Sequence, residues 1–352
     1  MTEKGVVADP ARVGRALNQV FSNTNTGGAY SRSSTVNLIV LAACQGNFSE
    51  LNALIDSLAL VHAGRYFVVY CDRNLSSLKV EVSARCIGLK ESEAVCSEVI
   101  MVGATPQNMR AVPSILRGNM LTGSPIELCV YEPCACEDSF DLIAPLSELL
   151  ILDSSHFFKD VAFLRHVTSR YRKIVDLEWI GQGLWREQVK LVFSRPTVCA
   201  LLPHLQEIRL KGLGASGKVS AALMAGWLLD RLSARNLRPG AQGLLFDLAE
   251  QAGVRLDLGL DVDAKENGLG ELSFAFKTPD RLRLDEHPLV SIKRGQELET
   301  VVRAETTDRT SVALEDQSWL GRLSRYYGVG EATTNYCASL ERAISLLELT
   351  QG

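Results

Sequence analysis

The first half of the chain alternates long apolar runs with stretches of helical periodicity. The run TVNLIVLAAC, from residue 35, has almost no polar position, which is typical of a strand covered on both faces. In the segment that follows, NFSELNALIDSLALVHAG, leucine, isoleucine and valine recur three and four residues apart, which predicts a helix. Gly64 can supply the left-handed residue after its end. The pattern is that of a strand followed by a helix.

The same alternation continues to the middle of the chain. Further strands are predicted at residues 65–71, 79–86, 97–104, 125–131, 148–154 and 173–179, with helices at 106–121 and 156–171. This order predicts a mainly parallel sheet with helices on its faces. We therefore expect an α/β N-terminal domain over residues 35–195. Residues 1–34 are expected to form a short helix and a mobile linker, since 22–34 contains too few apolar residues to order itself.

The pattern changes after the two prolines of SRPTVCALLPHL. Apolar and polar residues alternate on both sides of the Asn267-Gly268 turn, which predicts a β-hairpin. The segments RLRL, LVSIKR and ELETVVR extend it into an antiparallel meander, and two helices close the sequence. Residues 196–352 are therefore predicted to form an α+β C-terminal domain with an antiparallel meander.

Composition and charge narrow the classes of function. The chain has 352 residues and a normal apolar fraction of 46%, enough for two domains with buried cores. Its net charge is −4 and no basic cluster stands out, which argues against a nucleic-acid or membrane-surface role. The sequence shows neither a membrane-spanning apolar run nor an export leader. We expect a cytoplasmic protein that binds no nucleic acid and no membrane.

The cysteines suggest redox chemistry at one place only. Nine cysteines are scattered through apolar segments, such as the strand ending at Cys71, which predicts reduced and buried thiols. Cys134 and Cys136 form a CxC pair and are candidates for a redox switch. No second pair completes a four-ligand set, so no metal is predicted.

The segment EIRLKGLGASGKVS raises the hypothesis of a nucleotide site. Three glycines fit the fingerprint GxGxxG, and two of them with a lysine fit most of GxxxxGK: Gly212, Gly214, Gly217 and Lys218. Val219 stands where a phosphate loop needs the hydroxyl that holds magnesium. The helix that follows is apolar nearly all round, which is typical of a packed helix. A tight turn without a cofactor is favoured. A nucleotide-dependent α/β enzyme using Gly212–Lys218 is the alternative.

The segment DLEWIGQGLWREQVKLVF combines aromatic and charged residues near the domain boundary. Tryptophan and arginine are frequent anchors of protein interfaces. The predicted partner-binding residues are Trp179, Trp185, Arg186 and Glu187. The alternative is that the tryptophans fill the join between domains, which is favoured slightly for Trp179. No nucleophile and base, or pair of carboxylates, has a spacing that predicts catalysis.

Several segments, taken in order, resemble one family. SRSSTVNLIV, HAGRYFVV, SEVIMV, ELLILDSS, DLEWIGQGLWREQVKLVF and SAALMAGWLLDRL are similar to the OpcA-type assembly, or allosteric, subunit of glucose-6-phosphate dehydrogenase. The resemblance spans about residues 31–233. It implies a non-enzymatic protein that binds glucose-6-phosphate dehydrogenase, promotes its active oligomer and activates it allosterically in the oxidative pentose phosphate pathway. The chain departs from many relatives at PIELCVYEP, where they carry a tryptophan-bearing strand.

Overall fold

The computed structural model describes residues 5–23, 29–31, 35–42, 48–90, 93–131, 139–157, 161–171, 173–277, 289–303, 307–329 and 336–350. Contacts within the chain define two compact units. Unit 1 comprises Met1–Asp153, Tyr171–Val175 and Leu323–Gly330. Unit 2 comprises Ser154–Arg170, Asp176–Arg322 and Glu331–Gly352.

Unit 1 is built on a nine-stranded sheet whose last strand ends at Asp176. The strands are β1 (Val6–Ala8), β2 (Ala29–Ser31), β3 (Asn37–Ala42), β4 (Arg65–Cys71), β5 (Lys79–Lys90), β6 (Glu93–Ala104), β7 (Ile126–Val130), β8 (Leu149–Leu152) and β9 (Ile174–Asp176). They lie in the order β1-β5-β6-β4-β3-β7-β8-β9, and β2 pairs with β6. The pairs from β6 through β8 are parallel, whereas β5 is antiparallel to β1 and β6.

The parallel part of this sheet has a doubly wound topology. Counted along the chain, the parallel strands β3, β4, β6, β7 and β8 take the spatial order 3-2-1-4-5, with β9 beside β8, and the direction of winding reverses between β3 and β7. Every residue of β3 is buried, as its apolar run predicts. The predicted α/β class with a mainly parallel sheet is confirmed.

The helices that follow the strands of unit 1 include three that the sequence predicts and one, the last named here, that it does not. They are α1 (Val13–Asn23), α2 (Phe48–Val61), α3 (Val112–Asn119) and α4 (Ser139–Ile143). A short 3-10 turn capped by Asp9 precedes α1, whose Val13, Leu17 and Val20 are buried. Within the predicted linker, Ala29–Ser31 forms β2, while residues 24–28 and 32–34 lie outside the described residues.

Unit 2 contains an eight-stranded, mainly antiparallel sheet. Its strands are β10 (Leu205–Leu213), β11 (Arg235–Pro239), β12 (Leu244–Asp247), β13 (Val254–Asp261), β14 (Gly268–Phe276), β15 (Leu289–Arg294), β16 (Glu297–Arg303) and β17 (Thr307–Ala313). Their order is β11-β12-β13-β10-β14-β15-β16-β17, and β10–β13 is the parallel pair. The predicted meander is confirmed in β14–β16 and β17 extends it, although the predicted strand RLRL lies outside the described residues. The predicted hairpin at Asn267-Gly268 is wrong, because β13 and β14 do not pair with each other: β10 lies between them, parallel to β13 and antiparallel to β14.

The remaining helices are α5 (Val161–Arg170), α6 (Leu177–Gly181), α7 (Gly183–Phe193), α8 (Pro196–Cys199), α9 (Gly217–Arg231), α10 (Trp319–Val329) and α11 (Tyr336–Leu349). Helix α9 is buried along most of its length, as its uniformly apolar sequence indicates. Gly226 lets it approach α11 closely, because a β-carbon there would lie 3.0 Å from the backbone nitrogen of Ala343.

The prediction of reduced cysteines is wrong. Cys86 of β5 and Cys96 of β6 form a disulfide, and Cys71 is also disulfide-bonded. The physical reason for the first bond is register: the two residues are direct cross-strand partners, with Cα atoms 4.0 Å apart. The free cysteines in the described part of the chain are Cys129, Cys199 and Cys337.

Candidate partner-binding segment

The predicted partner-binding segment begins at a buried carboxylate of unit 2. Asp176 caps α6: its Oδ1 accepts hydrogen bonds from the backbone N–H groups of Glu178 and Ser154, each at 3.0 Å. Its Oδ2 accepts the hydroxyl of Tyr336 at 3.0 Å. These bonds compensate for the burial of the charge. Asp176 therefore ties the start of α6 to two other segments of unit 2.

Trp179 and Arg186 form a buried pair within this segment. The indole is 4% exposed and packs edge-on against Tyr336, with ring centroids 5.6 Å apart. The guanidinium carbon of Arg186 lies 3.7 Å from the centroid of the Trp179 ring, and its Nη1 donates to the Trp179 carbonyl at 2.7 Å. This is a cation–π contact reinforced by a hydrogen bond. Both side chains are therefore buried in the interior of unit 2.

A second buried polar contact holds α6 in place. Nη1 of Arg322 donates to Oε2 of Glu178 at 3.0 Å. The amide of Gln182 donates to Oε1 of Glu178 and to the Ser220 carbonyl, both at 2.9 Å. Glu178 is therefore held by Arg322 and by Gln182, and Gln182 in turn connects it to α9.

Of the four predicted partner-binding residues, the structure exposes one. Trp179, Trp185 and Arg186 are buried, whereas Glu187 is exposed. This placement differs from the expected display of tryptophan and arginine on the surface, because the helical phases of α6 and α7 turn these side chains inward. Whether any of the four residues contacts a partner stays a prediction.

The exposed side of α7 carries residues that the sequence pattern did not single out. Glu187 and Lys190 form an ion pair at 2.6 Å, and the neighbouring Leu191 is 53% exposed. We call Glu187, Lys190 and Leu191 the α7 outer face. The signal was available in the sequence: these residues are three and four positions apart, on the side of the helix away from Trp185.

The glycine motif forms a tightly packed turn between β10 and α9. Gly214 has a φ of +66°, and a β-carbon on it would lie 2.8 Å from the Glu266 carbonyl oxygen. A β-carbon on Gly217 would lie 2.6 Å from the carbonyl carbon of Gly212. The N–H groups of Gly217 and Val219 donate to carbonyls within the turn, at 3.2 and 3.1 Å. Close backbone packing thus accounts for all three glycines, and Lys218 lies beside a turn rather than an open cradle.

The remaining sequence predictions concern the cysteine pair, a metal site and membrane-spanning helices. Cys134 and Cys136 lie outside the described residues. Among the residues that are described, no cluster of three or more histidine, cysteine, aspartate or glutamate side chains has the arrangement of a metal site. None of the helices in the described ranges has both the length and the apolarity needed to cross a membrane.

A polar cluster in unit 1 was not anticipated from the sequence. The hydroxyl of Tyr327, on α10, donates to Oε2 of Glu127, on β7, at 2.7 Å. The His62 ring stacks on Tyr327, with centroids 4.3 Å apart. Burial raises the pKa of Glu127, opposed by the Tyr327 hydrogen bond, and burial lowers the pKa of His62. Glu127 and Tyr327 are 200 positions apart in the sequence, so no local pattern reveals this contact.

Comparison with known proteins finds a similarity in part of unit 1 and the start of unit 2. Residues 55–169 match the family described as glucose-6-phosphate dehydrogenase subunit N-terminal domain. This part of the chain is similar to that family. The matched segment is about a third of the sequence and runs from within α2 into α5. It confirms the family resemblance of the segments HAGRYFVV, SEVIMV and ELLILDSS, which lie inside it.

Solved structures add a likeness of fold. An oxidoreductase from Sinorhizobium meliloti is similar with a TM-score of 0.51 and 10% identity, over 91% of this chain and 96% of that one. A glucose-6-phosphate dehydrogenase in complex with glucose-6-phosphate aligns with a TM-score of 0.38 and 10% identity, over 92% and 88%. At such identity the first likeness concerns the fold alone. No curated protein matches the sequence significantly.

The Tyr327–Glu127 contact, whose carboxylate lies in the matched segment, gives a prediction. Tyr327→Phe is expected to lower the free energy of unfolding by about 1.5–3 kcal/mol, because it leaves a largely buried carboxylate without its donor. Chemical denaturation at neutral pH measures the change. Glu127→Gln is the matched variant, since its amide oxygen still accepts the hydroxyl while the buried charge is gone. Glu127→Gln should show no loss in the free energy of unfolding at neutral pH.

The pH dependence of Glu127→Gln follows from the raised pKa. A carboxyl whose pKa is higher in the folded state stabilises the fold most below its unfolded pKa, and this contribution is lost as the pH rises through the folded value. The wild type should therefore gain stability over Glu127→Gln on acidification from neutral pH towards the ordinary glutamate pKa. If the free energies of unfolding of the two proteins changed equally with pH across that range, the raised pKa of Glu127 would be contradicted.

Proposed function

We propose that this chain is a non-catalytic subunit that binds glucose-6-phosphate dehydrogenase, promotes its active oligomer and activates it allosterically. The observation that carries the proposal is the family match over residues 55–169. An activator acts by binding the active state of the enzyme more tightly than the inactive state. The place of action is the entry to the oxidative pentose phosphate pathway, in the cytoplasm.

A non-catalytic role also agrees with the packing of the glycine motif. The alternative, an enzyme that binds a nucleotide at Gly212–Lys218, requires backbone N–H groups that face a phosphate. The N–H groups of Gly217 and Val219 donate instead to carbonyls of the same turn. This favours the binding subunit over the enzyme.

The α7 outer face is the part of the tryptophan-rich segment proposed to contact the dehydrogenase. Buried side chains cannot touch another protein, so Trp179, Trp185 and Arg186 are assigned to support α7 from beneath. Glu187, Lys190 and Leu191 remain for contact. An exposed leucine beside a pair of opposite charges offers apolar area together with a polar rim, the composition of many protein interfaces.

Steady-state kinetics of the cognate dehydrogenase, with and without this chain, test the proposal. The expected result is a lower KM for glucose-6-phosphate or a higher kcat, together with a larger particle in sedimentation velocity. Unchanged kinetics and unchanged sedimentation at saturating subunit would reject it.

The contribution of the α7 outer face is tested by Leu191→Asp. We expect about tenfold more subunit to be needed for half-maximal activation, since an apolar contact is replaced by a charge, with little change in stability. Leu260→Asp is the matched control, because Leu260 is also an exposed leucine of unit 2 but lies on β13. Equal losses in the two variants would show that α7 has no special part in binding.

A further inference from the structure

One cavity of unit 1 is lined by three arginines. It has a volume of about 690 Å³, within the range of small-molecule sites, and its walls come from α1 and the turn before it, β4, β6 and α3. The arginines are Arg12, Arg15 and Arg65, in a chain whose net charge is −4. Part of the lining is buried, since Leu17 and Glu98 are 3% and 2% exposed. The cavity therefore reaches buried side chains and has the positive charge that an anion site requires.

Arg65 is fixed in the wall of this cavity. Its guanidinium binds the Glu98 carboxylate through Nε and Nη2 and the Asn119 carbonyl through Nη1. Each terminal nitrogen carries a second N–H group, which can donate to a ligand. The pairing also balances the charge of Glu98, the carboxylate among the described lining residues. Glu98 therefore does not exclude an anion from the cavity.

Arg12 and Arg15 add positive charge that the fold itself uses little. Arg15 forms no ion pair with the described residues. Arg12 lies near Asp9, but its Nε is 3.9 Å from Oδ2 and both side chains are more than half exposed, which makes this pair weak. Guanidinium groups bind phosphate oxygens in pairs. A carboxylate has only two oxygens, so arginines from two elements suit the several oxygens of a phosphate better.

Two glycines leave part of the cavity wall without side chains. Gly14 of α1 and Gly118 of α3 both line the cavity, and a β-carbon on either would meet no described atom within 4 Å. Neither glycine has a positive φ. Alanine would therefore fit at both positions, and it is the better helix former. Packing and backbone conformation do not account for these glycines, whereas the close approach of a ligand to the two helices does.

We propose that this cavity binds a sugar phosphate. The three arginines hold the phosphate group, and the two glycines leave room for the sugar. A phosphate alone would leave most of the volume empty, and the lining adds the carboxamides of Asn18 and Asn119, which can donate to and accept from hydroxyl groups. Nδ2 of Asn119 donates to the Ile115 carbonyl at 2.8 Å, which orients this amide.

Isothermal titration of the full chain with glucose 6-phosphate, inorganic phosphate and gluconate tests this site. We expect saturable binding of glucose 6-phosphate at one site and at least about tenfold weaker binding of the other two. Inorganic phosphate lacks the sugar, and gluconate carries a carboxylate in place of the phosphate. The dehydrogenase is absent from this experiment, so its result is independent of the proposed function. No saturable binding of glucose 6-phosphate, or equal binding of either comparison ligand, would overturn the proposal.

Three variants locate the site. Arg15→Ala should weaken glucose 6-phosphate binding by about tenfold, through loss of a charge-assisted contact. Gly118→Ala should weaken it by about tenfold without lowering the melting temperature, because the added methyl group enters the cavity while alanine favours the helix. Gly328→Ala is the control: Gly328 is likewise the penultimate residue of a helix and has no described atom within 4 Å of a β-carbon, but it does not line the cavity. Unchanged binding in both Arg15→Ala and Gly118→Ala, or an equal loss in Gly328→Ala, would refute the assignment.

Discussion

Replacing Trp179 by alanine is expected to lower the free energy of unfolding by about 3–5 kcal/mol, the usual cost of removing a large buried aromatic ring. The indole fills the space between the Tyr336 ring and the Arg186 guanidinium. Its loss leaves a cavity and also deprives a buried cation of its aromatic partner. Alanine at Trp185 or Arg186 should likewise act on folding, because both residues are buried.

Chemical denaturation of Trp179→Ala measures this loss. Trp179→Phe retains an aromatic face for Arg186 and should lose clearly less. Leu191→Ala, at an exposed position of α7, should stay within about 0.5 kcal/mol of the wild type. If Trp179→Ala unfolded like the wild type but failed to activate the dehydrogenase, the indole would belong to the partner surface and its assignment to the core would be wrong.

Replacing Glu98 by glutamine is expected to cost a similar amount, about 3–5 kcal/mol, because it leaves a largely buried guanidinium without its counter-charge. Glu98 of β6 and Arg65 of β4 form an ion pair whose side chains are 2% and 15% exposed. Arg65 also donates to the Asn119 carbonyl, so its guanidinium is held in place and cannot turn out to solvent readily.

The matched control for Glu98→Gln is Glu348→Gln. Glu348 also pairs with an arginine, Arg165, but the two side chains are 49% and 57% exposed. Solvent-exposed pairs contribute little, so this variant should lose less than about 1 kcal/mol. The double variant Arg65→Met/Glu98→Leu removes both charges and should recover part of the stability that Glu98→Gln loses. Equal effects of the two glutamine substitutions would contradict the importance of burial.

The sequence allowed the fold class to be predicted because its strongest patterns are local. The uninterrupted apolar run of β3 and the alternation on both sides of Asn267-Gly268 each follow from the burial of one strand, so a short window contains the whole signal. The antiparallel course of β5 and its disulfide to β6 depend on register between strands. The spacing of apolar residues contains no information about register, so the disulfide between Cys86 and Cys96 could not be predicted from it.

The candidate site was harder to predict because one composition serves two purposes. Tryptophan and arginine anchor interfaces, but they also fill cores when a cation can stack on a ring, as Arg186 does on Trp179. Helical phase separates the two cases, and it places Leu191 rather than Trp185 outside. Similarly, the fingerprint of Gly212 and Gly217 is produced by the close approach of two backbones as readily as by a phosphate.

Unit 1 is formed by three separate segments of the chain, and this constrains how the unit can be produced in isolation. A fragment truncated at Asp153 would lack β9. The backbone N–H and C=O groups of β8 would then form an unpaired sheet edge, which is prone to self-association. It would also lack Tyr327, which leaves Glu127 without the phenol it binds. Recombinant dissection of this protein therefore calls for grafting the later segments onto the fragment, rather than a single stop codon.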